Sequence, residues 1–284
     1  MQLLILGSGS PLPDPDRAGP STLIRTSVGD LLFDCGRGVL MRAAAVGSGA
    51  GAIRALFLTH LHSDHITDLN DVFTMRWVMS LQPNPLSVFG PGGTSRLLQV
   101  TEEMLEPDIG YRMAHHQDLT WRPSSTVTEV ERGVVFSEGP VRVTAAPTEH
   151  APVRPTVGFR IQDGDRSVVI AGDTVPCAAL DELCDGADVL VHTVVRRDLI
   201  EQFGLPRLTD VLDYHSSVPE AAQTAERGMV GTLVLTHLVP APAPGTEQEW
   251  IDQARPEFGG VVVVAGDLSS LEVTDRWSAR PGSP

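Results

Sequence analysis

Short runs of apolar and β-branched residues recur along the chain, divided by glycine and proline turns and by stretches with helical spacing. The runs predict strands over residues 2–6, 22–26, 30–34, 53–58, 86–89, 141–145, 156–161, 167–171, 188–191, 232–235 and 261–265. The helical spacing predicts helices over residues 39–46, 65–79, 94–105, 177–183, 219–227 and 246–254. Pro219 near a start and Gly228 just past an end suit the asymmetry of helix termini. No repeat and no linker-like stretch divides the chain. One domain with two strand-rich halves is expected over residues 1–276, with a loose tail at 277–284.

Polar residues fall at particular places in this pattern. Thr59-His60 follows Ala55-Leu56-Phe57-Leu58, and His150 comes soon after the strand over 141–145. Asp173 follows Val168-Val169-Ile170-Ala171-Gly172, His192 follows Asp188-Val189-Leu190-Val191, and Thr236-His237 follows Thr232-Leu233-Val234-Leu235. Sheets with helical crossovers collect their sites at the C-terminal ends of strands. Endings that each carry His or Asp therefore imply one shared site.

The densest signal is His60-Leu61-His62-Ser63-Asp64-His65, after a strand and before a helical pattern. Residues 60 and 62, two apart on extended backbone, can point the same way. Asp64 and His65 fall where the helix begins, so they leave in another direction. Such a set suits two adjacent metal ions better than one. Imidazole and carboxylate donors without sulfur favour zinc first, then manganese or iron.

With these residues in view, the chain resembles the metallo-β-lactamase superfamily, whose signature is His-x-His-x-Asp-His. The opening Leu6-Gly7-Ser8-Gly9-Ser10, the Phe33-Asp34-Cys35-Gly36-Arg37-Gly38 segment and the Gly90-Pro91-Gly92-Gly93 turn are similar to its ribonuclease Z branch, as are Asp173 in its Ala-Gly-Asp-Thr turn and Tyr214-His215-Ser216-Ser217. That branch includes enzymes that trim transfer-RNA 3′ ends and arylsulfatase-like relatives. The resemblance implies an α/β (α+β) fold, the four-layered αββα sandwich. It implies that His60, His62 and His150 hold one metal, that Asp64, His65 and His237 hold the other, and that Asp173 bridges them. A hydroxide shared by the two metals would be the nucleophile, with Asp64 orienting or deprotonating it. His215 matches the proton-donating histidine of the branch and is the candidate general acid. A homodimer is implied by the family alone.

Several features depart from that pattern. The branch's His-Glu-Ala-Thr motif reads His192-Thr193-Val194-Val195, which lacks the glutamate; Asp213 is the candidate replacement. Residues 151–172 alone separate His150 from Asp173, too few for a tRNA-gripping arm. The loop that reads Pro-x-Lys-x-Arg-Asn in many members is Pro13-Asp14-Pro15-Asp16-Arg17-Ala18, and Arg37 replaces a usual glutamate. Arg37, His192 and Asp213 are thus the candidate substrate-side residues. Arg37 would meet an anionic substrate or pair with a surface carboxylate.

Composition then narrows the partners. All 21 basic residues are arginine against 36 acids, for a net charge of −15. With no lysine there is no P-loop lysine and no Schiff-base chemistry. The acidic balance opposes indiscriminate nucleic-acid binding. A small ester or a limited RNA is the expected substrate, and tRNA processing is expected to be poor unless another surface, such as one near Arg196-Arg197, grips the tRNA. An arylsulfatase-like, lactonase or carboxylic-ester hydrolase on the same centre is the second reading, and a non-catalytic metal-binding regulator the third. Cys35, Cys177 and Cys184 form no disulfide framework, and no run approaches the roughly 18 apolar residues of a membrane span, so a cytoplasmic protein is expected. Of the glycine turns, Gly90-Pro91-Gly92-Gly93 is a plausible phosphate cradle because a helix follows, and Gly7-Ser8-Gly9-Ser10 a poor one.

Overall fold

The computed structural model describes residues 1–274, so the expected tail at 277–284 lies outside the described residues. The N-terminal half supplies β1 (Gln2–Gly7), β2 (Ser21–Thr26), β3 (Gly29–Phe33), α1 (Val39–Ala45), β4 (Ile53–Phe57), α2 (Ser63–Ile66), α3 (Leu69–Val78), β5 (Leu86–Gly90), α4 (Thr94–His115) and β6 (Ser125–Glu129). The C-terminal half supplies β7 (Gly133–Glu138), β8 (Val141–Pro147), β9 (Val157–Asp163), β10 (Arg166–Ile170), α5 (Ala178–Cys184), β11 (Val189–Val195), α6 (Arg197–Phe203), α7 (Pro206–Thr209), α8 (Val218–Arg227), β12 (Thr232–Val239), α9 (Glu247–Ala254), β13 (Val261–Val264) and β14 (Ser270–Glu272).

The strands form two seven-stranded sheets, ordered β14-β1-β2-β3-β4-β5-β6 and β13-β12-β11-β10-β9-β8-β7. Most central strands are buried on both faces, which is why they read as continuous apolar runs. Alternation sorts their side chains into separate cores. Along β10, Val168 and Ile170 enter the layer between the sheets, while Val169 faces the helices. The inter-sheet core joins Leu3, Phe33 and Phe57 of one sheet to Val143, Phe159 and Ile161 of the other. Outer cores pack the first sheet against Val39, Phe73 and Leu98, and the second against Leu180, Ala221 and Trp250. These layers make the αββα sandwich. No helix among the described residues is long and apolar enough to cross a membrane.

The differences from the sequence pattern have local causes. β6 and β7 lie at sheet edges and half face solvent; β6 sets a single Val among Ser, Thr and Glu, and β7 carries only the short run Val134-Val135-Phe136. The helix expected over 65–79 is broken at Asp68, whose N–H bonds to the Cys35 carbonyl and whose Oδ2 accepts from Gly38 N. α4 runs on to His115, past Pro107, which sits on its exposed face. β11 and β12 extend through His192 and His237 rather than ending before them, because their pairing continues to Val195↔Val239.

Phe57 stacks on Phe33 at 4.8 Å and on Phe89 at 5.0 Å, at the centre of the inter-sheet layer. Phe57→Ala is therefore expected to cost roughly 3–5 kcal/mol. The midpoint of denaturant unfolding checks this; an unchanged midpoint would contradict a tightly packed layer there.

Candidate metal centre

Five strand-end segments deliver the polar residues to one end of the sandwich. Beyond β4, Thr59 and His60 are buried, and His62 keeps an extended backbone (φ −62°, ψ 147°). His60 and His62 thus point to the same side. α2 starts at Ser63 and turns Asp64 and His65 inward from its first turn. This turn packs directly on the loop after β3: a Cβ on Gly36 would lie 2.6 Å from the Asp64 carbonyl. The loop after β8 carries His150. After β10, Gly172 takes φ +67° and packs on the Thr59 side chain, so that the Asp173 turn closes against the His60 strand.

His237 arrives by a different device. In the β11–β12 ladder Thr193 faces Thr236 but Val195 faces Val239, which leaves one extra residue on β12. His237 in that bulge has φ 47°. Strict alternation would send it with Leu235 toward the helices; the bulge re-aims it into the site.

The result is two adjoining groups, His60, His62, His150 and Asp173 in one, and Asp64, His65 and His237 in the other. Within each group the candidate ligand atoms lie within 4.8 Å of one another. Asp173 Oδ2 lies between them, 3.8 Å from His60 Nε2, 3.9 Å from His150 Nε2, and 3.5 Å from both His65 Nε2 and His237 Nε2. His215 Nε2 is 3.2 Å from the same oxygen. His60 Nε2, His65 Nε2 and Asp173 Oδ1 are buried without any hydrogen-bond partner. Unpaired buried acceptors and donors of this kind are costly unless something else satisfies them. The nitrogen, oxygen and burial pattern fits two divalent cations.

A second layer orients the rings. His65 Nδ1 meets Asp34 Oδ2 at 2.8 Å, and His60 Nδ1 meets Thr59 Oγ1 at 3.0 Å. Asp34 also accepts from Thr59 N (2.8 Å) and Thr59 Oγ1 (2.9 Å), so one carboxylate positions both imidazoles. His150 Nδ1 donates to the Tyr214 carbonyl at 2.7 Å, leaving Nε2 toward the cluster. Thr174 ties the loops together: its Oγ1 accepts from Glu149 N at 3.0 Å, and its carbonyl accepts from Ser216 N at 2.9 Å and Ser216 Oγ at 2.8 Å. Asp34, Thr59, Thr174 and Ser216 escaped the sequence reading. For Asp34 a signal existed, since it ends the run over 30–34 as Asp173 ends its own.

Charge in the metal-free cluster is balanced internally. Burial would raise the Asp173 carboxyl, but His237 and His65 hold it well below the usual range. Burial would lower His65, yet Asp173 and Asp34 hold it well above its ordinary value. His237 is likewise raised against burial, by Asp173 and by its bond to Asp64. Burial is the leading cause that depresses His60, and it brings His150 to about 4.

Other expected residues go elsewhere. His192 keeps strict alternation with Leu190 and Val194, so it faces the helical layer; it is wholly buried, its Nδ1 bonds to the Thr193 carbonyl, and burial lowers it to about 4. It cannot touch substrate. Asp213 is exposed, and His215 Nδ1 donates instead to the Val211 carbonyl at 2.9 Å, so a backbone group stands where a carboxylate was expected. Arg37 is exposed at the turn beside Asp64, with no ion-pair partner among the described residues. Arg196 is buried and bound to Asp198 and Glu249, which removes it as a grip for tRNA, and Arg197 pairs with Glu201. The Gly90-Pro91-Gly92-Gly93 turn is not a free cradle, because Glu129 Oε1 accepts from Gly93 N and Ser95 N at 3.0 Å each. Ser8 N of the first glycine turn is likewise bound to Asp267, as is Ala18 N of the facing loop.

Fold and site together define a metal-dependent hydrolase of the β-lactamase superfamily. Residues 30–238 match the family described as the beta-lactamase superfamily domain. The chain is 52% identical over 278 residues to ribonuclease Z of Mycobacterium bovis (strain BCG / Pasteur 1173P2), covering 97% of this chain and 99% of that one. It is 51% identical over 283 residues to ribonuclease Z of Mycolicibacterium gilvum (strain PYR-GCK), covering 99% of both. Within the superfamily, the chain belongs to the ribonuclease Z family. Among solved structures, it shares its fold with human tRNase Z, short form (TM-score 0.71, 23% identity, 96% of this chain and 100% of that one). The metallo-beta-lactamase fold protein YhfI from Bacillus subtilis is comparable (TM-score 0.72, 23% identity, 95% and 99%).

Because the neighbouring carboxylates raise His65 and His237, a cation that takes their Nε2 lone pairs competes with protons there. Loading metal-free protein with a divalent ion at neutral pH is expected to release protons, and apparent affinity is expected to rise with pH. Titration calorimetry in buffers of different ionisation enthalpy reads both. An affinity independent of pH would contradict the charge balance described.

Proposed function

We propose that the chain is a dinuclear zinc phosphodiesterase that cleaves RNA, with 3′-extended tRNA precursors as substrate. The observation that carries this reading is the shared position of Asp173 Oδ2, between two ligand groups and 3.2 Å from His215 Nε2. His60, His62 and His150 would hold one cation, Asp64, His65 and His237 the other, and Asp173 both. Bound there, two dications supply Lewis acidity toward a phosphoryl group and an activated water.

The chain's own groups supply the rest. Asp64 is held ionised, against burial, by its bond from His237, and can orient the attacking water. His215 fixes one ring nitrogen on the Val211 carbonyl, so a second proton on the imidazole must sit on Nε2, facing the cluster. That proton is available to the departing alkoxide, and Asp173 steadies the cationic ring. A backbone carbonyl performs the orienting task that the missing glutamate would have.

The short stretch between His150 and Asp173 weighs less against tRNA than the sequence reading gave it. The M. bovis ribonuclease Z is matched over 99% of its length by 278 aligned residues, so it is of this chain's size. A chain without room for the long arm therefore has the company of proteins bearing that name. Ribonuclease Z at half-identical sequence favours RNA over sulfate or carboxylic esters.

Purified protein is expected to carry about two metal ions per chain, mostly zinc, by elemental analysis, and to trim 3′-extended precursor tRNA at one site in a gel assay. Hydrolysis of bis-nitrophenyl phosphate without any tRNA trimming would keep the hydrolase and remove tRNA as its substrate.

His215→Ala should lower kcat on RNA by roughly 10²–10⁴-fold with metal content unchanged. Diesters with a nitrophenol leaving group, which scarcely needs a proton, should lose far less. Equal losses on both would take His215 out of the acid role.

A further inference from the structure

The disposition of arginines points to how an acidic protein holds an RNA strand. With a net charge of −15 and no lysine, the surface as a whole repels a polyanion. Most described arginines are consumed internally. Arg42 binds Asp267, Arg54 binds Glu138, Arg132 binds Glu182 and Arg227 binds Asp181, while Arg76 and Arg160 donate to backbone carbonyls. Among the described residues, Arg37, Arg142, Arg154, Arg166 and Arg207 have neither an ion-pair nor a hydrogen-bond partner for their guanidinium groups.

Those five divide by position. Arg142 and Arg166 lie at the far end of the sandwich, where β8 and β10 begin. Arg37, Arg154 and Arg207 are exposed, and each lies in a segment that leads into or out of the site. Arg37 sits in the turn after β3, locked by a bond from Gly19 N to its carbonyl and packed beside the Asp64 turn. Arg154 follows a tight turn closed by Val153 N on the His150 carbonyl at 2.9 Å. It lines a cavity of about 540 Å³ whose wall includes Thr148 and Glu149, immediately before His150, together with Glu131 and the paired Arg132 and Glu182. Arg207 lies in α7, in the segment that leads to Tyr214 and His215.

We propose that Arg37, Arg154 and Arg207 bind phosphates of the RNA strand on either side of the scissile bond. Arginine suits this task through its planar, bidentate donors. Three cations on three separate segments suit a polymer with a phosphate at every nucleotide; a small diester offers a single phosphate, which the metal centre itself would take. This assignment rests on the RNA reading above and names the residues that would make that substrate preferred. These are substrate-positioning residues and take no part in the chemistry at the cluster.

The test compares the full-length, metal-loaded protein with Arg37→Gln, Arg154→Gln, Arg207→Gln and the triple variant. The control is Arg142→Gln/Arg166→Gln, which also removes positive charge but at the far end. Binding of precursor tRNA is followed by fluorescence anisotropy across a salt series, beside kcat/KM on the same RNA and on bis-nitrophenyl phosphate. The triple variant is expected to flatten the dependence of log Kobs on log salt by about 2, near 0.7 per lost contact. It should also lower kcat/KM on RNA, chiefly through KM, about tenfold or more beyond any change on the small diester. The control should keep the parent slope. A triple variant with the parent's slope and KM, or one no different from the control, overturns the proposal even if the parent trims tRNA well. A parent that binds RNA with this arginine-dependent slope but does not cut it would overturn the functional reading and leave the phosphate contacts standing.

Discussion

The structure depends on one buried carboxylate. Asp173 is 2% exposed and has five histidine nitrogens within 3.9 Å of a single oxygen, a density of polar groups that an apolar interior tolerates only when they satisfy one another or a cation. Asp173 and Asp34 raise His65, Asp173 and Asp64 raise His237, and the histidines in turn lower both Asp173 and Asp64, so charge is balanced within the cluster. Cations would perform that balancing at fixed positions. The same arrangement therefore serves as charge compensation in one state and as a ligand set in the other.

Holding such a cluster open requires backbone that does not follow the regular pattern. The bulge at His237, the left-handed turns at Gly172 and Asp34 (φ 56°), and the direct contact of Gly36 with the α2 turn each bend the chain inward at the same end of the sandwich. Residues of this kind cost stability locally and persist because surrounding bonds determine them. Thr174, Ser216 and Asp34 are those surroundings. They join the loops of His150, Asp173 and His215, and the strand of His60 to the helix of His65, into one rigid rim.

Anionic side chains occupy the two glycine turns whose sequence raises the question of a phosphate cradle. Asp267 fills the first glycine turn and Glu129 caps α4. Both are structural uses of a helix end or glycine turn that would otherwise present bare N–H groups.

The amino-acid sequence alone pointed to a layered α/β chain with one shared polar site, and its resemblance to the metallo-β-lactamase superfamily supplied the sandwich class and the proposed ligand residues. Apolar runs too short for helices but continuous enough for doubly buried strands mark a layered α/β architecture, and a His-rich turn at a strand end announces its chemistry in a few adjacent residues. Edge strands β6 and β7, facing solvent on one side, carried only one and three consecutive apolar residues and emerged from pairing. Strand ends misled in the case of His192 and succeeded for His237, although both follow similar apolar runs. The difference is a single extra residue in β12, which reverses the face to which the side chain points, and nothing in local composition encodes that register. Only the packed structure could show that the Val211 carbonyl, rather than Asp213, holds His215, or that Arg196 is spent while Arg37 is free. Those outcomes depend on which groups from distant parts of the chain meet, and a hydrogen bond or an ion pair exists only once the tertiary fold has brought both partners within reach.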